Sequence, residues 1–181
     1  VRVENARGTI IRLTKLTETS LIVHWMTAEA GLLKTVAKGA RRPKSSFSGK
    51  LDLFIDADLE WVPSRKSELH TLREVSVHAY RTELRKQYVK MVLGSYFGQL
   101  LEHVVEREHA EPEVYALLHR GLDYLCEGEA TRAVLVHFER ELAKFLGVGQ
   151  EGKNAAAALE QAFGRVPRER QTCLAALKEA E

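Results

Sequence analysis

The chain has 181 residues, 45% of them hydrophobic and 29% charged, with 27 Lys+Arg against 25 Asp+Glu for a formal net charge of +2. That length allows one good core or two small domains, and the composition is that of an ordinary soluble globular protein. No apolar run approaches the roughly 18 residues of a membrane span and the N-terminus lacks a signal peptide's apolar core, so a cytoplasmic location without a membrane partner is expected. Cys126 and Cys173 stand apart with no CxxC, which argues for reduced thiols and against a disulfide framework or a cysteine zinc site.

Up to about residue 80, β-branched and aromatic residues alternate with polar ones in five short runs: Thr9 to Leu16, Ser20 to Met26, Leu32 to Ala37, Leu51 to Val62 and Leu69 to Ala79. Five strands are predicted, spaced as in a small antiparallel barrel. Thr17 to Ser20 and Ala28 to Gly31 supply two tight polar turns, and a longer, looser connection joins the third and fourth strands. Such a pattern suits an OB-fold, the partly open barrel that often binds single-stranded nucleic acid, although SH3-like barrels show similar patterns.

Beyond residue 80 the period becomes helical. Leu93, Phe97, Leu100, Leu101 and Val104 share one face of a helix predicted from Thr82 to Glu108. Pro112 suits the first turn of a second helix carrying Val114, Leu117, Leu118, Leu122 and Leu125 and ending near Gly128. Leu135, Phe138, Leu142, Phe145 and Leu146 mark a third, closed by Gly147 and Gly149. An alanine-rich fourth covers about Lys153 to Phe163, and a fifth follows Pro167. The expectation is an α+β chain: a five-stranded barrel over residues 1–80, then an all-α helical bundle over 81–181.

Charge divides at the same place. Residues 1–80 carry 13 Lys+Arg and 9 Asp+Glu, a net +4, while residues 81–181 carry 14 and 16, a net −2. Within the first half, Lys34, Lys38, Arg41, Arg42, Lys44 and Lys50 fall in one stretch with no acidic residue, interrupted by Gly39, Pro43, three serines and Gly49. Six unopposed cations on an irregular connection suit a phosphate backbone, and the two arginines can also stack on bases. Phe47, in the middle of this stretch, is the best stacking candidate because no strand alternation assigns it to the core. Trp25, Phe54 and Trp61 are assigned to the core.

Catalytic constellations are absent: the sequence holds no GxxxxGK[ST], no GxSxG and no Gly-rich dinucleotide turn. The seven histidines are scattered without HExxH or a comparable pair. Asp52, Asp56, Asp58 and Glu60 have the even spacing that puts four carboxylates on one face of a strand, which a nuclease would use for Mg²⁺. Leu51, Leu53, Ile55, Ala57 and Leu59 alternate with them, and the simpler reading is a half-buried strand with its acidic side in water.

The run Ala30-Gly31-Leu32-Leu33, the segment Val36-Ala37-Lys38-Gly39-Ala40-Arg41-Arg42-Pro43-Lys44-Ser45, the stretch Leu51 to Trp61 and Leu69-His70-Thr71-Leu72-Arg73-Glu74 resemble the RecO family of bacterial DNA repair proteins. The likeness is strong over about residues 8 to 80 and looser over the helices, where Tyr88 to Leu101 resembles the family's first long helix. It implies an N-terminal OB-fold on a helical domain, no enzymatic activity, annealing of complementary single strands, and help in loading recombinase onto DNA coated by single-strand-binding protein. It also implies three partners: single-stranded DNA, the acidic tail of single-strand-binding protein, and RecR. His70 would have a structural role at the barrel end.

Many relatives carry a four-cysteine zinc module that this sequence lacks, so no metal or cofactor is expected. Members are also commonly longer at the C-terminus, where RecR is among the partners contacted. From the charge run, to which the resemblance adds weight, the expected DNA-binding residues are Lys34, Lys38, Arg41, Arg42, Lys44, Phe47 and Lys50. The tail would be received by cations of the helical half, from the set Arg81, Arg85, Lys86, Lys90, Arg120 and Arg132. The competing reading is a generic OB-fold binder of RNA or DNA whose helices serve oligomerisation.

Overall fold

A computed structural model describes residues 1–180 as two compact units. The first comprises Val1–Tyr80 and Glu106–Tyr115, the second Arg81–Val105 and the chain from Ala116 onward.

In the first unit, β1 (Glu4–Lys15), β2 (Leu21–Thr27), β3 (Gly31–Ala37), β4 (Asp56–Val62) and β5 (Leu69–Ala79) form a closed barrel in the order β1-β2-β3-β5-β4. All pairings are antiparallel except β3 with β5. This is the OB-fold expected from the strand runs. Period-two alternation sends Ile10, Val23, Trp25, Leu33, Leu59, Trp61, Leu72 and Val75 inward to one core, each at most 4% exposed. The Trp25 indole, fully enclosed, donates to Thr35 Oγ1 at 3.0 Å, so its one polar atom is satisfied.

Two strand boundaries differ from the sequence expectation. β1 starts at Glu4 instead of Thr9, because Glu4 to Thr9 pair with β4 while Gly8 to Lys15 pair with β2. One long strand therefore closes the barrel, with a bulge between Ile10 and Arg12 that turns it from one neighbour to the other. β4 starts at Asp56 instead of Leu51. Phe54 adopts φ 68°, outside the extended region, and the chain from Leu51 to Ile55 turns, with Ile55 N–H donating to Asp52 O at 3.3 Å. Glycine is required at Gly31, where φ is 65° and an added Cβ would stand 1.9 Å from the His109 carbonyl oxygen.

The helical unit begins with a 3-10 turn at Thr82–Lys86, followed by α1 (Tyr88–Val104). The single helix expected from Thr82 to Glu108 is thus interrupted at extended Gln87 (φ −135°, ψ 122°) and stops four residues early. Then come α2 (Pro112–Glu127), α3 (Arg132–Phe145), α4 (Ala155–Phe163) and α5 (Glu169–Ala180). Thr131 and Asn154 cap α3 and α4 by accepting from Val134 N–H and Ala156 N–H. Gly147, at φ 72°, ends α3. Phe97 of α1 stacks on Phe138 of α3 with ring centroids 3.8 Å apart.

A buried polar junction also ties three helices. Glu139, 1% exposed, accepts from Tyr96 Oη at 2.7 Å and from Arg170 Nε and Nη2 at 2.6 and 3.0 Å. Beside it, burial and the Glu139 charge push the Cys173 thiol up to about 12, which keeps it protonated and inert. No helix among the described residues is long and apolar enough to cross a membrane.

Candidate nucleic-acid interface

The connection between β3 and β4 is a chain of tight turns pinned at both ends and in the middle. Successive turn bonds run from Ala40, Arg42, Ser45, Ser48 and Lys50 N–H to Ala37, Gly39, Arg42, Ser45 and Phe47 O, at 3.0–3.4 Å. Gly39, at φ 69°, supplies the left-handed step that a KG turn needs. The start of the connection lies on the β1–β2 turn: Gly39 N–H donates to Ser20 Oγ, Arg41 N–H to Thr19 O at 3.0 Å, and Arg41 Nη1 to Glu18 O at 3.2 Å. Its middle is held by Phe47.

Phe47 is 7% exposed and belongs to the barrel core with Trp25 and Leu33, while Ala40 and Leu51 pack against the same core. This corrects its sequence-based assignment as a base-stacking ring. Strand alternation cannot place a residue outside the strands, and a turn brings the ring over the open end of the apolar interior. The cations point the other way. Lys38, Arg41, Arg42 and Lys44 are exposed and Lys34 and Lys50 half-buried. Among the described residues none of the six forms an ion pair with a carboxylate, the one polar side-chain contact being that of Arg41 with a backbone carbonyl.

The exposed face of β4 and β5 carries acidic side chains. Asp58 and Glu60 on β4 and Glu74 on β5 are exposed, and Glu60 stands directly across from Glu74. Asp58 is hydrogen-bonded to His78, whose Nε2 lies 2.6 Å from Oδ2. Asp56 departs from the expected water-facing row. It is fully buried, accepting from Arg7 Nε at 2.8 Å, Thr9 Oγ1 at 3.0 Å and Tyr115 Oη at 2.7 Å. Burial alone would raise its pKa, but the hydrogen bonds from Tyr115, Arg7 and Thr9 and the Arg7 charge outweigh that and hold the carboxyl below its usual value. Asp52 lies in the turn before the strand, so the four carboxylates do not assemble as a metal-binding row. Among the described residues no group of His, Cys, Asp and Glu is arranged to hold a metal ion.

The cations at the start of the helical unit are largely occupied. Arg81 adopts φ 50° and is only 7% exposed, donating through Nε to Asp123 Oδ1 at 2.7 Å and through Nη2 to His119 Nδ1 at 2.8 Å. Lys86 pairs with Glu83 at 2.6 Å, Arg85 is engaged as well, and Lys90 is 7% exposed. Arg81 and Lys90 are therefore not the surface cations expected of a partner-binding set, because Arg81 is drawn to Asp123 and His119 and Lys90 lies on the buried side of α1. Arg120 and Arg132 are exposed. Arg120, His137 and Glu141 line a groove of about 470 Å³ together with Phe97, Leu117, Tyr124, Val134 and Phe138, while Arg132 is outside it.

Residues 2–81 match the family described as Recombination protein O N terminal, and residues 85–161 the one described as Recombination protein O C terminal. The chain belongs to the RecO family. It is similar to the DNA repair protein RecO of Pasteurella multocida (strain Pm70), 35% identical over 155 residues that cover 85% of this chain and 63% of that one. The Haemophilus influenzae (strain 86-028NP) protein of the same name is 32% identical over 157 residues, covering 87% and 65%. That of Salinibacter ruber (strain DSM 13855 / M31) is 33% identical over 143 residues, covering 78% and 55%. The chain thus spans less than two thirds of the length of these RecO relatives.

Sequence reasoning missed the segment from Glu106 to Tyr115. Leu32 bridges to Arg107, and Glu108 N–H donates to Leu32 O at 3.0 Å. His70 accepts from Ser64 N–H at 2.9 Å through Nδ1, and its Nε2 lies 3.1 Å from Glu108 Oε1. That is a structural placement for the histidine of the LHTLRE segment. The one available signal was Gly31 itself, whose place in a tight turn did not reveal that another backbone would lie against it.

Proposed function

We propose that this RecO-family chain is a non-enzymatic, cytoplasmic single-strand annealing protein of recombinational DNA repair. It binds single-stranded DNA through Lys34, Lys38, Arg41, Arg42, Lys44 and Lys50, and it helps load recombinase onto DNA coated by single-strand-binding protein. Residues 1–80 form the DNA-binding domain and 81–181 the partner-binding domain. The observation that carries this reading is the anchored connection whose five cations, with Lys34 on the adjoining strand β3, have no carboxylate partner on an OB barrel. Neutralising phosphates lowers the repulsion between strands, and annealing then needs no chemical step.

Six phosphate contacts give log affinity a slope of roughly −4 against log salt, so raising salt from about 50 to about 200 mM weakens binding roughly 300-fold. The test replaces Arg41, Arg42 and Lys44 together by alanine. Three contacts remain and the same salt step costs the variant about 20-fold. An unchanged slope, or annealing of complementary strands at the wild-type rate, overturns the reading.

The tail of single-strand-binding protein, acidic and apolar at its end, matches the groove beside Arg120 better than it matches the internally paired Arg81 to Lys90 stretch. Titration calorimetry with a tail peptide at low salt, against wild type and Arg120→Ala, tests the placement. A peptide that does not bind, or binds both equally, removes it. RecR is proposed as a further partner on the family relationship alone.

A further inference from the structure

Proteins that hold single strands without sequence preference usually combine a cationic track with aromatic rings on which bases stack. The barrel half of this chain has the first and not the second. Residues 1–79 contain four Phe and Trp rings, Trp25, Phe47, Phe54 and Trp61, all at most 7% exposed, and their one exposed imidazole, that of His78, is hydrogen-bonded to Asp58. Tyr80 is 52% exposed but follows the end of β5. There Ala79 pairs with Asp56, and Asp56 with Thr9 of β1. From Thr9 the strand runs a further six residues, roughly 20 Å, to Lys15 beside the turn that holds Gly39 and Arg41 at the start of the basic connection, whose other end returns to Asp56. Of the two guanidinium groups able to stack on a base, that of Arg41 is fastened to the Glu18 carbonyl.

We infer that the basic connection grips the sugar-phosphate backbone alone and leaves the bases unstacked and facing away from the barrel. The ligand is then a polyanionic backbone whether or not bases are attached to it. This rests on the DNA-binding reading and adds how the strand is presented: pairing edges stay open to a complementary strand, without a ring to be displaced first.

The experiment compares a labelled oligothymidylate with a strand of equal length made of abasic tetrahydrofuran units, by anisotropy at about 50 and 200 mM salt. Wild type and the Arg41, Arg42, Lys44 triple alanine variant are both titrated. Even one stacked base would make the abasic strand bind about fivefold or more weakly. The expected result is a difference below about fivefold with the same salt slope, and a similar loss on both strands in the triple variant. If wild type binds oligothymidylate, the triple variant does not, and the abasic strand is about fivefold or more weaker, this inference alone falls. Absence of binding to both strands, or a triple variant as tight as wild type, removes the DNA-binding reading and this inference with it.

Discussion

In the barrel unit the six cations from Lys34 to Lys50, four of them exposed and two half-buried, have no carboxylate partner, whereas in the helical unit the cations from Arg81 to Lys90 are folded into local pairs or covered. As strings of letters the two stretches are similar. They differ because the first contains no acidic residue and is held by an apolar ring, while the second includes Glu83 and is met by Asp123 and His119 from α2. A cationic run stays clear of carboxylates when it holds none of its own and something other than charge fixes it in place. Arg7 gives a third case, a cation committed to a single buried carboxylate, Asp56.

The largest expected effect is on the ring. Phe47→Ala should cost about 3–5 kcal/mol of stability in chemical denaturation, since it empties a core site, and Phe47→Leu less than about 1.5 kcal/mol. Phe47→Leu should also keep wild-type DNA affinity. A weakened affinity with intact stability would show that the ring meets bases, which would break the comparison at its first term.

Next in size, Arg81→Ala should lower stability by about 2 kcal/mol. That is below the loss for a fully buried pair, because Asp123 is half exposed. The salt slope of DNA binding should not move, and a shallower slope would place Arg81 on the DNA after all.

The third contrast is in pH. Asp56 has its folded pKa held below the unfolded value of about 3.9, so the unfolded chain takes up its proton first as pH falls. The stabilisation is fully present above that value and is lost as pH drops through it toward the folded pKa. Asp56→Asn should therefore unfold with a flatter pH dependence below about pH 5 than wild type, and identical slopes would contradict the assignment.

The smallest effect sharpens the comparison most. Lys38→Ala should leave stability within about 0.5 kcal/mol of wild type and reduce the salt slope by roughly 0.7, the contribution of one phosphate.

Much of this was legible in the sequence. Alternation found all five strands because inward positions such as Val23, Trp25, Leu33 and Leu59 repeat with period two. Leu93, Phe97, Leu100 and Leu101 fixed the buried face of α1 for the same kind of reason. What escaped was set by contacts between residues far apart in the chain. Glu4 to Gly8 carries little apolar signal, and becomes strand through pairing with β4. Asp56 was read as exposed because its burial depends on Arg7, Thr9 and Tyr115, none of which is near it in sequence. The candidate interface divides the same way: the cations were visible as a charge run, while the inward turn of Phe47 depends on a core that local spacing does not describe.

Fixing Phe47 in the core also limits how far the basic connection can travel. The chain between Ala37 and Asp56 is tethered near its midpoint, so it consists of two short spans. Each span has far fewer conformations to give up than one untethered loop of the full length. If the connection takes a nucleic-acid strand as proposed, that strand meets cations already confined to a small volume, and the ordering cost of capture falls mainly on the nucleic acid. Lengthening either span with glycine and serine would return that cost to the protein without removing a single charge.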